Sequence, residues 1–515
     1  MLLIDILPRL EGSAAKLCFL SDRGQEEERS FNDLHAEVTA LVRALQDIGV
    51  QPGMRVGLLA PNSSRWIAWD LALLAAGCVS VALPQEKLSQ PLQALIERLA
   101  LNLVAVDPEL ASPEDLLPAC VVPVARGDFP PGRAALARPA AGDSPLTHSL
   151  AFSSGTTGKT KGLIISRPGT ERLINLYEAA FGVCEGDRML TFLPFANYQQ
   201  RMTYYFCLYH GIDFVYVPFP RLFAGLKRYQ PTYVIAPPVF YEATHSMSLA
   251  GVSATIGADE RKQLLGVRLR DLLGGRIRYL ITGMAPIKRQ TLDFFWEHGV
   301  NLFEAFGITE AGMVCWNKPG QARPGTVGKP AEPGSVSLSE EGEVIITRDA
   351  LLSLGYFDAA EEDARSTFLT PNSVATGDIA SFDDEGFLTI VGRKKDAIIT
   401  KAGEKFHPEP IEARIQRAPG VKTVVVLGGD SLPGLVALVV VQDPGLADLT
   451  DPIKAHIAGL SAELPPSQRV RQIVFTAQDF TIENGLRTKN MKLDRRAIQK
   501  HFLALQAEQG GAHAR

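Results

Sequence analysis

Phe152-Ser153-Ser154-Gly155-Thr156-Thr157-Gly158-Lys159-Thr160-Lys161-Gly162 stands between two apolar runs and combines three glycines, a row of hydroxyls and two lysines. Glycines let backbone N–H groups turn toward an anion, hydroxyls add neutral donors and lysines add point charges. The composition points to a loop that holds phosphate; a plain Gly/Thr turn between strands shares it. Gly158-Lys159-Thr160 fits the end of a Walker A loop, but Ser153 stands where that loop requires its first glycine. A Walker loop also opens a helix, whereas here Gly162-Leu163-Ile164-Ile165-Ser166 is a short β-rich run ahead of Pro168 and Gly169. The reading is strand, loop, strand, with the loop draped over a triphosphate and no helix N-terminus behind it.

Upstream, the spacing of apolar residues predicts helices over 31–49, 66–76 and 92–99 and strands over 56–60, 79–83 and 103–106. This alternation is the rhythm of an α/β protein with parallel sheets and helical crossovers. A Pro/Gly-rich interval at 127–145 reads as a linker. At 515 residues and 46% apolar content the chain is expected to build two or more domains. A net charge of −5 without a Lys/Arg-rich block disfavours nucleic acid as a partner. The six cysteines (18, 78, 120, 184, 207 and 315) form no CxxC and no Cys/His cluster, which reads as buried thiols in a reducing cytoplasm. Asp5 and the lack of a basic flank argue against a signal peptide. The apolar run at 434–441 is too short to span a bilayer and reads as a buried strand, so a soluble protein with at most peripheral membrane contact is expected.

Downstream of the loop, Leu193-Pro194-Phe195-Ala196-Asn197 precedes an aromatic-rich helix, Tyr204 to Gly211, whose rings are either core or the lining of an apolar ligand tunnel. Tyr279-Leu280-Ile281-Thr282-Gly283-Met284-Ala285-Pro286 is a strand running into a Gly/Pro turn, the kind of strand end where open α/β sheets bind ligands. Leu302-Phe303-Glu304-Ala305-Phe306-Gly307-Ile308-Thr309-Glu310 repeats the device and ends on a hydroxyl and a carboxylate suited to a metal-bound phosphate. On spacing alone, Thr309-Glu310 is equally a helix start.

Five blocks in this order resemble the adenylate-forming superfamily of acyl-CoA synthetases, luciferases and peptide-synthetase adenylation domains. They are 153–162, Ala305 to Glu310, Thr376-Gly377-Asp378, Gly392-Arg393-Lys394-Lys395-Asp396 with Gly403-Glu404, and Asn484 to Arg495. The resemblance covers nearly the whole chain. It implies a large N-terminal domain of packed α/β sheets with a distorted barrel, 1–393, and a small mobile α+β lid, 394–515. It also implies ATP, Mg²⁺ and CoA as cofactors, and attack of a substrate carboxylate on the α-phosphorus of ATP. On that resemblance Lys492 is the catalytic lysine, with Thr309 and Glu310 beside it. Ser153, Ser154, Gly155, Thr156, Thr157, Gly158, Lys159 and Lys161 face the phosphates. Gly283, Met284, Ala285, Glu304, Ala305, Phe306 and Gly307 enclose adenine. Asp378 accepts from the ribose hydroxyls, Arg393 approaches ribose or phosphate, and Glu310 with Ser153 serves the metal. Lys395 aligns with the hinge, and Gly403-Glu404 with the loop offered to the incoming thiol.

Leu193 to Arg201 is similar to a block of the long-chain fatty acyl-CoA synthetases, as is the terminal Asn484-Gly485-Leu486 run. A medium- or long-chain fatty acid is therefore the expected substrate, with Asn197, Tyr204, Gly283 and Phe306 around it. Three positions depart from that branch: Asn197 for a histidine, Thr160 for a proline and Arg167 for a histidine. Asparagine keeps hydrogen bonding but carries no charge. The acceptor stays open between CoA and the phosphopantetheine arm of a carrier protein.

Overall fold

The computed structural model describes residues 1–83, 91–116, 118, 120–125, 144–154, 160–253, 255–400, 404–429, 432, 434–441, 450–481, 483–487 and 493–512, with backbone only for 153, 154, 160 and 505–512. Most of the expected 127–145 linker lies outside this set.

The strand, loop, strand reading decides one edge of a seven-stranded sheet. Arg55–Leu59, Val79–Ala82, Leu103–Val106 and Val121–Pro123 run parallel, and Val79–Ala82 also pairs in parallel with Thr147–Ser154. Helices Ser64–Ala75 and Leu92–Leu99 make the crossovers, as the alternating pattern requires. Thr147–Ser154 then folds back antiparallel on Thr160–Ser166, with Phe152 opposite Gly162 and Ser153 opposite Lys161. The strand Ser353–Phe357, from almost two hundred residues later, closes the edge by pairing antiparallel with Thr160–Ser166.

A nine-stranded sheet lies alongside. Its centre is parallel, Lys16–Leu20, Asp213–Tyr216, Arg188–Thr191, Tyr233–Ala236, Tyr279–Thr282 and Leu302–Ile308 in that spatial order. Glu343–Thr347, Ser373–Phe382 and Leu388–Arg393 belong to a third, antiparallel sheet. The smaller C-terminal domain packs helices Glu409–Ile415 and Thr450–Glu463 on a sheet of Val421–Leu427, Leu435–Val441 and Val470–Thr476. Leu435–Val441 is buried along nearly its whole length, as its unbroken apolar sequence requires.

The two large sheets are joined by a buried polar cluster. Arg201, on helix Tyr198–His210, is 0% exposed and forms an ion pair with Asp70 of helix Ser64–Ala75. Its guanidinium also donates to Ser80 Oγ at 2.6 Å, to Ser149 Oγ and to the Tyr205 hydroxyl at 3.1 Å. The Tyr204 and Tyr205 hydroxyls donate to the same Asp70 carboxylate. Tyr204, expected near the substrate, is fully buried with its hydroxyl committed to Asp70. Of the cysteines, Cys18, Cys78, Cys207 and Cys315 are buried, while Cys184 is exposed. Among the described residues no helix is long and apolar enough to cross a membrane.

Removing one member of a buried ion pair leaves the other charge uncompensated, typically at about 3–5 kcal/mol. Arg201→Leu should therefore lower unfolding free energy by roughly 3 kcal/mol or more in chemical denaturation; a variant as stable as the parent would deny the cluster this role.

Candidate active site

The site is built on strand ends. Tyr279–Thr282 stops at Gly283, where a Cβ would come within 3.2 Å of the Ala305 carbonyl oxygen. Met284 follows with φ +72°, a left-handed backbone that costs a non-glycine residue about 1 kcal/mol and concentrates at ligand sites. The neighbouring strand Leu302–Ile308 pairs in parallel with Tyr279–Thr282, Thr282 opposite Glu304, and then antiparallel with Gly312–Trp316. A register shift between Phe306 and Gly307 marks the change. Gly307 has no alternative there, since a Cβ would meet the Gly312 carbonyl oxygen at 2.3 Å. Thr309 and Glu310 consequently occupy the turn of a hairpin, not a helix start.

That turn is fastened to the phosphate hairpin. Tyr356 lies opposite Leu163 in the edge strand, and its hydroxyl donates to Glu310 Oε1 at 2.7 Å. The Lys161 ammonium sits 4.9 Å over the Tyr356 ring and 2.9 Å from Asp363. Burial first, then the neighbouring Glu310 charge, raises the Tyr356 phenol, which keeps it a proton donor. A cation suited to phosphate and a carboxylate suited to Mg²⁺ are thus held on one wall by a residue that the sequence did not single out.

Glu304 accepts from the Gly325 N–H at 2.6 Å. Burial pushes its carboxyl up to about 8, with Asp293 adding to the rise and Gly325 and Arg289 opposing it. Asp378 and Arg393 face each other across adjacent strands, Arg393 Nε 2.8 Å from Asp378 Oδ1, and Asp378 is 4% exposed. The preceding Gly377, at φ +71°, donates its N–H to Glu343 Oε1 at 3.0 Å. Asn197 is the N-cap of helix Tyr198–His210 and accepts from the Gln199 N–H at 3.1 Å, so its oxygen serves the backbone. Lys395 is exposed in the turn Lys394–Asp396, where desolvation, opposed by Asp396 and aided by Arg393 and Arg496, holds its ammonium below the usual range. Next to it Lys394 bridges Glu341 at 3.0 Å and Glu343 at 2.9 Å. Glu404 closes a small hairpin, its N–H on Thr400 Oγ1 at 3.1 Å. Ser153 and Ser154 lie on the first strand of the phosphate hairpin. Gly155, Thr156, Thr157, Gly158, Lys159, Gly403 and Lys492 are outside the described residues.

Among the described residues no group of three or more His, Cys, Asp or Glu side chains could hold a metal by itself. Glu310 alone fits an ion such as Mg²⁺, which keeps most of its waters and takes its other ligands from phosphate.

Strand ends at Gly283 and Glu304–Glu310, the hairpin of Thr147–Ser154 and Thr160–Ser166, and the paired Asp378–Arg393 make up the candidate site. The chain belongs to the AMP-binding enzyme family: residues 10–356 match that family and 395–505 match the AMP-binding enzyme C-terminal domain. It is accordingly an AMP-forming acid–thiol ligase. It is 24% identical over 542 aligned residues to the long-chain-fatty-acid–CoA ligase FadD15 of Mycobacterium bovis, covering 90% of this chain and 89% of that one. Human long-chain-fatty-acid–CoA ligase 1 is 25% identical, over 88% of this chain and 77% of the relative. The crystal structure of the anthranilate CoA ligase AuaEII with anthranoyl-AMP shares the fold, with a TM-score of 0.75 at 21% identity over 97% of both chains.

Because Glu304 is raised from 4.5 to about 8, the folded state keeps a proton that the unfolded chain releases. Its contribution to stability is complete below about 4.5 and is lost as pH rises through about 8. Melting temperatures measured across that window should fall with pH in the parent and fall less in Glu304→Gln; equal slopes would remove Glu304 as the source.

Proposed function

We propose that this enzyme joins a medium- or long-chain fatty acid to AMP with release of pyrophosphate, and then passes the acyl group to the thiol of CoA in the cytoplasm. The observation that supports the reading is the contact of Tyr356 with both Glu310 and Lys161, which brings a carboxylate and a cation together from segments about 150 residues apart. In the first half-reaction a carboxylate oxygen of the acid attacks the α-phosphorus, and the bond to the pyrophosphate oxygen breaks. Negative charge gathers on the phosphate oxygens as it does so, and preorganised cations lower that barrier most effectively. Lys492 supplies that charge at the α-phosphate. Lys161 and the glycine and hydroxyl loop hold the outer phosphates, Glu310 and Ser153 serve Mg²⁺, and Asp378 takes the ribose hydroxyls with Arg393 at its side. Gly283, Met284, Ala285, Glu304, Ala305 and Phe306 enclose adenine, with Gly283, Phe306 and Asn197 toward the acid.

In the second half-reaction the CoA thiol sulfur attacks the acyl carbon, its proton departs and AMP leaves. A boundary at 393/394 with Lys395 as hinge lets the small domain present Lys492 for the first step and Gly403-Glu404 for the second. The fatty-acid relatives and the 193–201 block support the substrate class. Lys492→Ala should slow adenylation by roughly two to three decades. The deciding experiment is a panel from short aliphatic and aryl acids to long fatty acids, scored by pyrophosphate release with and without CoA. Saturation by fatty acids with CoA-dependent turnover is expected; saturation by aryl acids alone, or turnover only with a carrier protein, would refute the assignment.

A further inference from the structure

Two side chains that follow the adenine-side turn reach across to the small domain. Lys288 directly follows Gly283–Ile287 and is the N-cap residue of helix Arg289–Glu297, yet its side chain does not cap that helix. Its ammonium lies 3.2 Å from Glu242 of helix Pro238–Leu249 and donates to the Lys422 carbonyl at 3.0 Å. Two residues on, Gln290 Nε2 donates to the Arg417 carbonyl at 3.1 Å. Arg417 lies in the turn that links helix Glu409–Ile415 to strand Val421–Leu427, and Lys422 is the second residue of that strand. That turn is internally braced, because Gln416 Nε2 donates to the Val421 and Lys422 carbonyls at 2.9 and 3.1 Å.

The braced turn leads onward to the loop before the fifth sequence block. Lys422 pairs through its own ammonium with Asp479 at 2.6 Å. The Asp479 carbonyl accepts from Asn484 Nδ2 at 2.7 Å, and Arg487 Nε donates to the Phe480 carbonyl at 2.8 Å. Glu242, the partner of Lys288, also lies within electrostatic reach of Arg487. Arg487 stands five positions before Lys492 in sequence.

We infer that Lys288, with Gln290, is a positioning residue that docks the small domain in the orientation serving adenylation; the inference rests on the two-step reading above. The turn Gly283–Pro286, expected at adenine, ends two residues before Lys288, so the nucleotide site and the docking contact share one piece of backbone. A hydrogen bond from a charged donor that is half-open to solvent, when lost, shifts a two-orientation equilibrium by about fivefold.

The test compares the parent, Lys288→Ala, Gln290→Ala and Lys288→Arg in two measurements. Hydrogen exchange at residues 416–422 reports docking without any turnover. Single-turnover rates of adenylate formation and of CoA attack on preformed acyl-adenylate report the two half-reactions separately. Lys288→Ala should speed exchange at 416–422 about fivefold and slow adenylate formation about fivefold relative to the thiol step. Gln290→Ala should do both more weakly, and Lys288→Arg, which can still donate to the carbonyl and pair with Glu242, should restore both. Unchanged exchange with an unchanged ratio of the two rates would overturn the inference. A parent enzyme that formed no adenylate with any acid would instead sink the two-step reading; unchanged exchange in Lys288→Ala would then overturn the docking role as well, and faster exchange would uphold it.

Discussion

The Arg201–Asp70 pair is the bolt on which the large domain turns. Asp70 comes from the helix that crosses over the first sheet, Ser80 and Ser149 from strands of that sheet, and Arg201, Tyr204 and Tyr205 from a helix on the second. A charge removed from water is tolerated only where its partners are complete. Here one guanidinium and one carboxylate come close to that condition by drawing donors and acceptors from both layers at once, the Arg201 Nε being the one guanidinium nitrogen without a partner. The relative placement of the two sheets, and so of the strand ends that carry the chemistry, follows from satisfying this cluster.

Given that placement, the site is shaped more by close backbone approach than by side-chain variety. Gly307 approaches Gly312 more closely than a side chain would permit without a shift of the backbone, and Gly283 approaches Ala305 closely enough that a Cβ would be tight. The change from parallel to antiparallel pairing within Leu302–Ile308 turns Thr309 and Glu310 back toward the phosphate hairpin. Tyr356 then converts that proximity into a hydrogen bond.

Local signals were legible in the amino-acid sequence where one segment suffices to specify structure. The helical periodicity of 31–49 appears as Phe31–Asp47 with a Ser30–Asp33 capping box, and 92–99 and 103–106 recur without change. The strand, loop, strand reading of 152–166 rested on the β-rich run after Gly162 and reappears as an antiparallel pair. Thr309-Glu310 stayed ambiguous because a hydroxyl followed by an acid suits a helix start and a turn alike, and only pairing with Gly312–Trp316 decides between them. Tyr204 was open for a different reason: a tyrosine in an aromatic helix suits core and tunnel lining alike, and its bond to Asp70, 134 residues earlier in the chain, appears only in the fold. Tyr356 and Lys288 were invisible for the same cause, since each acquires meaning only from a partner in another element.

Gly307 has one further consequence. Its Cβ position is filled by a carbonyl oxygen of the opposite strand, so any side chain there would force the two strands apart. A change in what the enzyme accepts is therefore easier to make in the residues flanking this point than at the point itself.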